Sequence, residues 1–260
     1  MELCKALDEA VQTYLRTATF PVAVKILEDE SQFPQKARRP LRDLGYRLNL
    51  CQGISLARRY GWTMGFGRED HACSNSLVIM GMVEVPEFIK NGSIVAGPYT
   101  DTLEHGAITQ SVTPRSDRPL NAFLLAPLHK ADFAPDVVLV YCNPGQAVRL
   151  VQAALYTTGG TLESKFMGRC ACGSEIVTTL QTGQCQLVAP GGGEKVFAMT
   201  ADDEMVFTIP RERIQAVIDG LVGTHKAGAN RFPAPFFGLK AEPEFPPVYA
   251  ELERYVGLRE

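Results

Sequence analysis

Cysteine is the residue type best placed to do chemistry in this chain. There are seven: Cys4, Cys51, Cys73, Cys142, Cys170, Cys172 and Cys185. The thiolate is the reactive and ligating form, and thiolates favour iron–sulfur clusters, zinc or cuprous copper. Cys73 and Cys172 each open an apolar, helix-like segment, SNSLVIMGM and SEIVTTLQ. Free N–H groups and the positive end of the dipole lower a thiol's pKa at such a position. Cys51 lies inside a helical stretch, Cys170 stands two residues before Cys172, and Cys185 follows thirteen later. No C-x₂-C pair exists, and neither zinc-ribbon nor ferredoxin spacing occurs. The spacing therefore leaves a second reading open, in which the cysteines are small buried apolar residues. Cys4 and Cys142 are read that way.

Other groups carry weaker signals. His71 precedes Cys73 by two residues and suits a nitrogen ligand, a proton acceptor or a solvated loop position. No H-E-x-x-H or G-x-S-x-G is present, so zinc-protease and serine-hydrolase chemistry lacks its residues. Pro190 to Lys195 (PGGGEK) is glycine-rich without Walker or Rossmann spacing; its amides suit either an anion cradle or a turn between strands. Asp202, Asp203 and Glu204 suit a hard cation, acid–base work or simply a turn. Lys36, Arg38, Arg39, Arg42, Arg47, Arg58 and Arg59 form a basic stretch that suits an anionic ligand or a solvated face. No residue is singled out as catalytic.

The elements that must position these groups are legible in outline. Residues 2–16 have a helical apolar stripe at Leu3, Leu7, Val11, Tyr14 and Leu15. FPVAVKIL (20–27) reads as a strand, 29–44 as a loop, and 45–60 as a helix. Trp62 to Phe66 reads as a short strand, and 85–112 as two short helices split at Gly97-Pro98. NAFLLAP (121–127) and DVVLVYC (136–142) are the clearest buried strands, and 146–156 is the helix after the second. Further strands are expected at 161–167, 185–189, 195–199 and 205–209, then a helix over RERIQAVIDGL and a last one over 248–256. This order predicts an α/β (or α+β) fold with a mixed β-sheet flanked by helices. A strand–helix–cysteine–helix pattern recurs in residues 18–90 and 121–185, which suggests an internal pseudo-duplication. The globular domain is set at 1–222, followed by a Pro-rich wrapping tail with a terminal helix, 223–260.

Composition excludes several classes. Lys plus Arg is 26 and Asp plus Glu is 29, a formal charge of −3. That argues against nucleic acid as a partner. The N-terminus lacks a signal-peptide pattern, no stretch is apolar for long enough to span a membrane, and the odd cysteine count fits a reducing compartment. A cytoplasmic protein with no membrane partner is the expectation, with a homodimer possible through the Phe-rich tail.

GYRLNLCQGISLARRYGW, the EDHAC element, GRCACGSEIVTTLQTGQ and FAMTADDEMVFTIPRERIQAVIDGL together resemble the domain-of-unknown-function family 169. This is an uncharacterised archaeal conserved region group found in archaea and many anaerobic bacteria. The resemblance spans residues 18 to 222. It implies that Cys51, Cys73 and Cys172 match cysteines recurring in the family pattern, as do the DDEM segment and Pro210; Cys185 matches less closely. Where the pattern has a Gly-Asp-Arg-like element, this chain has Gly193-Glu194-Lys195. The expected function is a cysteine-ligated iron–sulfur or metal-binding protein, a redox or accessory protein of anaerobic metabolism with an electron-transfer partner. Cys51, Cys73 and Cys172 would be ligands, with Cys170 or Cys185 as the fourth, and zinc would be the alternative to a cluster. The competing expectation is a metal-free protein for an anionic small molecule, or an enzyme with a helix-capping reactive cysteine.

Overall fold

The structure, a computed structural model, describes residues 1–228 and 247–258. The first helix, α1 (Glu2–Tyr14), leads into strand β1 (Val22–Leu27). After a short 3₁₀ turn and a π-helical turn come α2 (Leu50–Tyr60) and β2 (Met64–Phe66). Short helices α3 (Ser74–Ile79) and α4 (Glu87–Lys90) precede α5 (Leu103–Ser111). Then follow β3 (Ala122–Pro127), β4 (Val137–Cys142) and α6 (Pro144–Leu155). A π-helical turn, Gly173–Thr178, runs into α7 (Thr179–Thr182). The globular part ends with β5 (Gln186–Val188), α8 (Gly192–Phe197), β6 (Met205–Pro210) and α9 (Ile214–Lys226). A final helix, α10, covers Ala250–Tyr255.

The α/β layering is the one the sequence predicts, built on a six-stranded sheet in the order β2-β3-β1-β4-β6-β5. Its ladders are antiparallel throughout. Central β1 and β4 are apolar at almost every position because both faces are covered, which removes the usual alternation of a half-exposed strand. Ala23, Val138, Val140, Phe207 and Ile209 face a layer in which α1, α6 and α9 pack together. Val24, Phe123, Leu125, Leu139, Tyr141 and Val206 face α2, α3 and the π-helical turn through Ile54, Ala57, Ile79, Ile176 and Val177. The helices that the suggested duplication would equate, α2 and α6, thus cover opposite faces.

Local chemistry sets the helix ends. Asn143 caps α6 by accepting from the Gln146 N–H at 2.9 Å, and Gln146 returns the favour at 2.9 Å to the Asn143 N–H. Pro144 fills the first helical position. Gly61 ends α2 at φ +72, where a Cβ would be strained.

Several expectations need correction. The helix expected from residue 45 starts only at Leu50, because Leu48 is held by backbone bonds to Asp70 and Ala72. Residues 161–167 form no strand. The strand expected at 195–199 is instead the C-terminal half of α8 and the turn after it, since Gly191 and Glu194 start a helix there. Helix α9 runs past residue 222 to Lys226. Most of the Pro-rich tail, 229–246, lies outside the described residues.

Candidate functional site

A cavity of about 220 Å³ opens on the α2 face of the sheet. Its walls come from four places in the chain. The start of α2 brings Asn49, Leu50 and Cys51; α3 brings its cap Cys73, Asn75 and Ser76 from its first turn, and Ile79 from its end. The loop before the π-helical turn brings Arg169, Cys170, Ala171 and Cys172, and the start of α8 brings Gly191 to Glu194. Tyr99 and Phe197 stand at the same cavity.

Four of the cysteines singled out from the sequence therefore line one space: Cys51, Cys73, Cys170 and Cys172. Each is a free, half-buried thiol. Cys185 is elsewhere. It belongs to the α1/α6/α9 core and borders a different depression on that side. Cys4 and Cys142 are buried in the same core, where they act as small apolar residues.

The metal reading does not survive. Among the described residues, no group of three or more His, Cys, Asp or Glu side chains is arranged to hold a metal ion. This overturns the cysteine-ligated iron–sulfur or metal protein expected from the sequence, with Cys51, Cys73, Cys170 and Cys172 as ligands. The expectation of a lowered thiol pKa fails at Cys172. Burial pushes the Cys51 thiol up to about 12, and the neighbouring acid Glu194 adds to the shift. Burial also raises Cys170, and it raises Cys172 well above the ordinary thiol value. Desolvation of the charged form outweighs the helix end at Cys172. Cys170 sits at φ +54, and the Asn75 side-chain amide donates to its sulfur at 3.0 Å.

One cation at this cavity is not neutralised. The Arg169 Nε and Nη1 are buried without a hydrogen-bond partner among the described residues, and the guanidinium stands 5.2 Å from the Tyr99 ring. A buried donor left unmade is costly, so this guanidinium suits an acceptor that the described residues do not supply.

The basic stretch read from the sequence is spent differently. Lys36 pairs with Asp132, Arg42 with Asp43 and Arg47 with Glu69. Arg39 pairs with Glu30 and Asp70, and Arg38 stacks on Trp62 at 4.0 Å. Arg58 makes two bonds to Glu204, at 2.6 and 3.0 Å, and Arg59 joins the same carboxylate. These cations fasten loops and helices together, so none is left to draw an anion. The same bonds explain the DDE segment: Glu204 serves Arg58, and Asp202 pairs with Lys195 at 2.7 Å.

The cavity wall also carries an acid, Glu194. Glu194 is buried, accepts from the Tyr141 hydroxyl at 2.8 Å, and accepts from the Gly191 N–H at 3.0 Å. Its electrostatic neighbour Glu175 is fully buried, and among the described residues neither of its carboxyl oxygens has a well-formed hydrogen bond. Burial, and then the neighbouring Glu194, hold the Glu175 carboxyl well above the ordinary range, so it is neutral. Burial also raises Glu194, against the pull of Tyr141. Arg58 stands over the Tyr141 ring at 3.9 Å, but its fork is already committed to Glu204. The Ser55 hydroxyl donates to the Ala198 carbonyl at 2.7 Å and ties the end of α8 to α2.

His71 is neither a ligand nor the solvated loop residue of the sequence reading. It is buried, with Nδ1 and the Ser76 hydroxyl 2.9 Å apart. Burial pulls its pKa down to about 4, so the ring is neutral. Sequence reading missed Arg169, Glu175, Tyr141 and Asn75. A lone acid in the apolar run SEIV was the available signal for Glu175.

The wall segments around Cys51, Cys73 and Cys172 are among those in which the sequence resembles a known family, whereas Glu194 lies where the chain departs from that pattern. A profile of the domain-of-unknown-function family 169, described as uncharacterised ArCR, matches residues 10–220. The chain belongs to this family. It is also similar to the uncharacterised protein MJ0308 of Methanocaldococcus jannaschii, 26% identical over 204 residues, which covers 77% of this chain and 85% of that protein. No solved structure matches the chain. Among the described residues, no helix is long and apolar enough to cross a membrane.

Proposed function

We propose that this family member binds a small organic anion in the cavity lined by Arg169 and Glu194. One observation carries the reading: Arg169 lines the space, and its Nε and Nη1 are buried without a hydrogen-bond partner among the described residues. Arg39, Arg42, Arg47, Arg58 and Arg59 each pair with a carboxylate and Arg38 stacks on Trp62; Arg169 has the Tyr99 ring but no carboxylate partner among the described residues. The volume lies below the roughly 300–1,000 Å³ usual for drug-sized ligands, which suits a molecule of few heavy atoms. Leu50, Ile79, Ala171 and Phe197 supply apolar wall. Thiols held protonated at Cys51, Cys170 and Cys172 add soft, nearly apolar surface.

The test is thermal unfolding of the full chain with sodium butyrate against sodium chloride at equal ionic strength. Butyrate should raise the Tm of the native protein, since a ligand at a hundred times its Kd stabilises by about 2.7 kcal/mol. Arg169→Gln should fold and lose that rise. A native Tm indifferent to butyrate overturns the reading, as does an unchanged rise in the variant.

A further inference from the structure

The anion reading has a consequence for Glu194. A bound carboxylate would share a 220 Å³ space with Glu194, whose electrostatic neighbour is a second, buried acid, Glu175. The charges that face Glu194 come from several elements: Tyr141 on β4, Arg58 and Cys51 on α2, and Glu175 on the π-helical turn. Cys172 and Arg169 border the same cavity. Of these, Arg58 is bonded to Glu204 and Tyr141 is a neutral donor. Arg169 therefore remains to offset an incoming charge. One guanidinium cannot balance both Glu194 and an incoming carboxylate, and no other cation among the described residues lines the cavity to offset the added charge.

We propose that the ligand is a small monocarboxylate with an apolar body and that it enters together with a proton, which is held on the Glu194–Glu175 pair. The carboxylate takes the Arg169 fork. The apolar body lies along Leu50, Ile79 and Phe197. Glu194, facing the ligand, takes the proton from solvent, so that the cavity gains one negative and one positive charge in the same event. No bond to carbon is made or broken. The proposal rests on the anion reading and adds the ligand's charge class and the residue that answers it. Inorganic phosphate and dicarboxylates are disfavoured because their second charge meets the acid pair.

Linkage fixes the sign. A negative ligand raises the proton affinity of Glu194 further, so affinity rises as pH falls. One proton taken up corresponds to about tenfold in affinity per pH unit. Isothermal titration of the full chain with butyrate at a single pH, in two buffers of different ionisation enthalpy, counts the protons taken up and needs no variant. The expected result is uptake approaching one proton, with butyrate bound more tightly than succinate or phosphate, and with affinity weakening from pH 6 towards pH 8. Glu194→Gln should still bind butyrate but take up no proton and lose the pH dependence; Gln keeps an acceptor for Tyr141. Butyrate binding without proton uptake, or a preference for succinate or phosphate, overturns this proposal and leaves the anion reading standing. No binding of any of the three overturns both.

Discussion

Glu175 is the most consequential single residue outside the cavity lining. A carboxyl with no exposed surface and no well-formed hydrogen bond survives only as the neutral acid. Its folded pKa lies above the unfolded value of about 4.3. The sign follows from linkage. Below the unfolded pKa the group is protonated in both states and costs nothing. As pH rises above that value, the unfolded chain gives up the proton and the folded chain does not, so stability falls until the folded pKa is reached. Glu175→Gln removes that proton. The variant should be more stable than the native chain at pH 8, with the gap closing by pH 4. The gap grows by at most about 1.4 kcal/mol for each pH unit above the ordinary carboxyl value. Urea unfolding at the two pH values measures it; a variant less stable at pH 8 than at pH 4 relative to native would count against a neutral Glu175. The cysteines teach the complementary point. Four of them meet at one cavity, while burial of Cys51, Cys170 and Cys172 works against the thiolate that metal binding requires.

At the level of elements, close approach of backbones decides what the sequence tolerates. Glycine at position 220 lets α9 lie against α6: a Cβ there would fall 2.0 Å from the Ala153 carbonyl oxygen. Gly220→Ala should lose roughly 1–3 kcal/mol, the usual cost of overpacking. Gly192 opens α8 with nothing within 4 Å of a built Cβ, so Gly192→Ala should be neutral or gain a few tenths of a kcal/mol through a stiffer unfolded chain. Thermal melts of the two variants side by side test the contrast; equal losses would mean that the α6–α9 contact is looser than it is drawn. Helix boundaries follow the same local logic. The Asn143–Gln146 box and Pro144 announce α6 in the sequence. The start of α2 is hidden, because Leu48 is claimed by a bridge to His71, a partner more than twenty residues away.

For the whole molecule, the sheet separates two layers with different work. The α1/α6/α9 layer is a continuous apolar core. The α2 layer carries the cavity, the acid pair and the Arg58–Glu204 bond that ties α2 to the entry of β6. Hydrogen exchange in the presence of butyrate should slow amides in residues 49–53, 73–79, 169–175 and 191–197, and leave α1, α6 and α9 unchanged. Protection spread evenly over both layers would argue that stabilisation is global and not centred on this cavity.

The sequence alone determined what local physics controls. Unbroken apolar runs at Val137–Cys142 and Ala122–Pro127 can only be strands buried on both faces, and helical spacing at Leu7, Val11 and Leu15 places α1 on a core. The motif segments carried the family. Antiparallel pairing, the face on which each helix lies and the meeting of positions 51, 73, 170 and 194 were decided only in three dimensions. So was the fate of each charge. Adjacent residues Arg169 and Cys170 look unremarkable in the chain, and Arg58 looks like one of a basic stretch. A charge is free or neutralised according to which carboxylate the fold brings to it, and a thiol or carboxyl is ionised or not according to the water it keeps. Both are long-range properties, and no spacing along the chain encodes them.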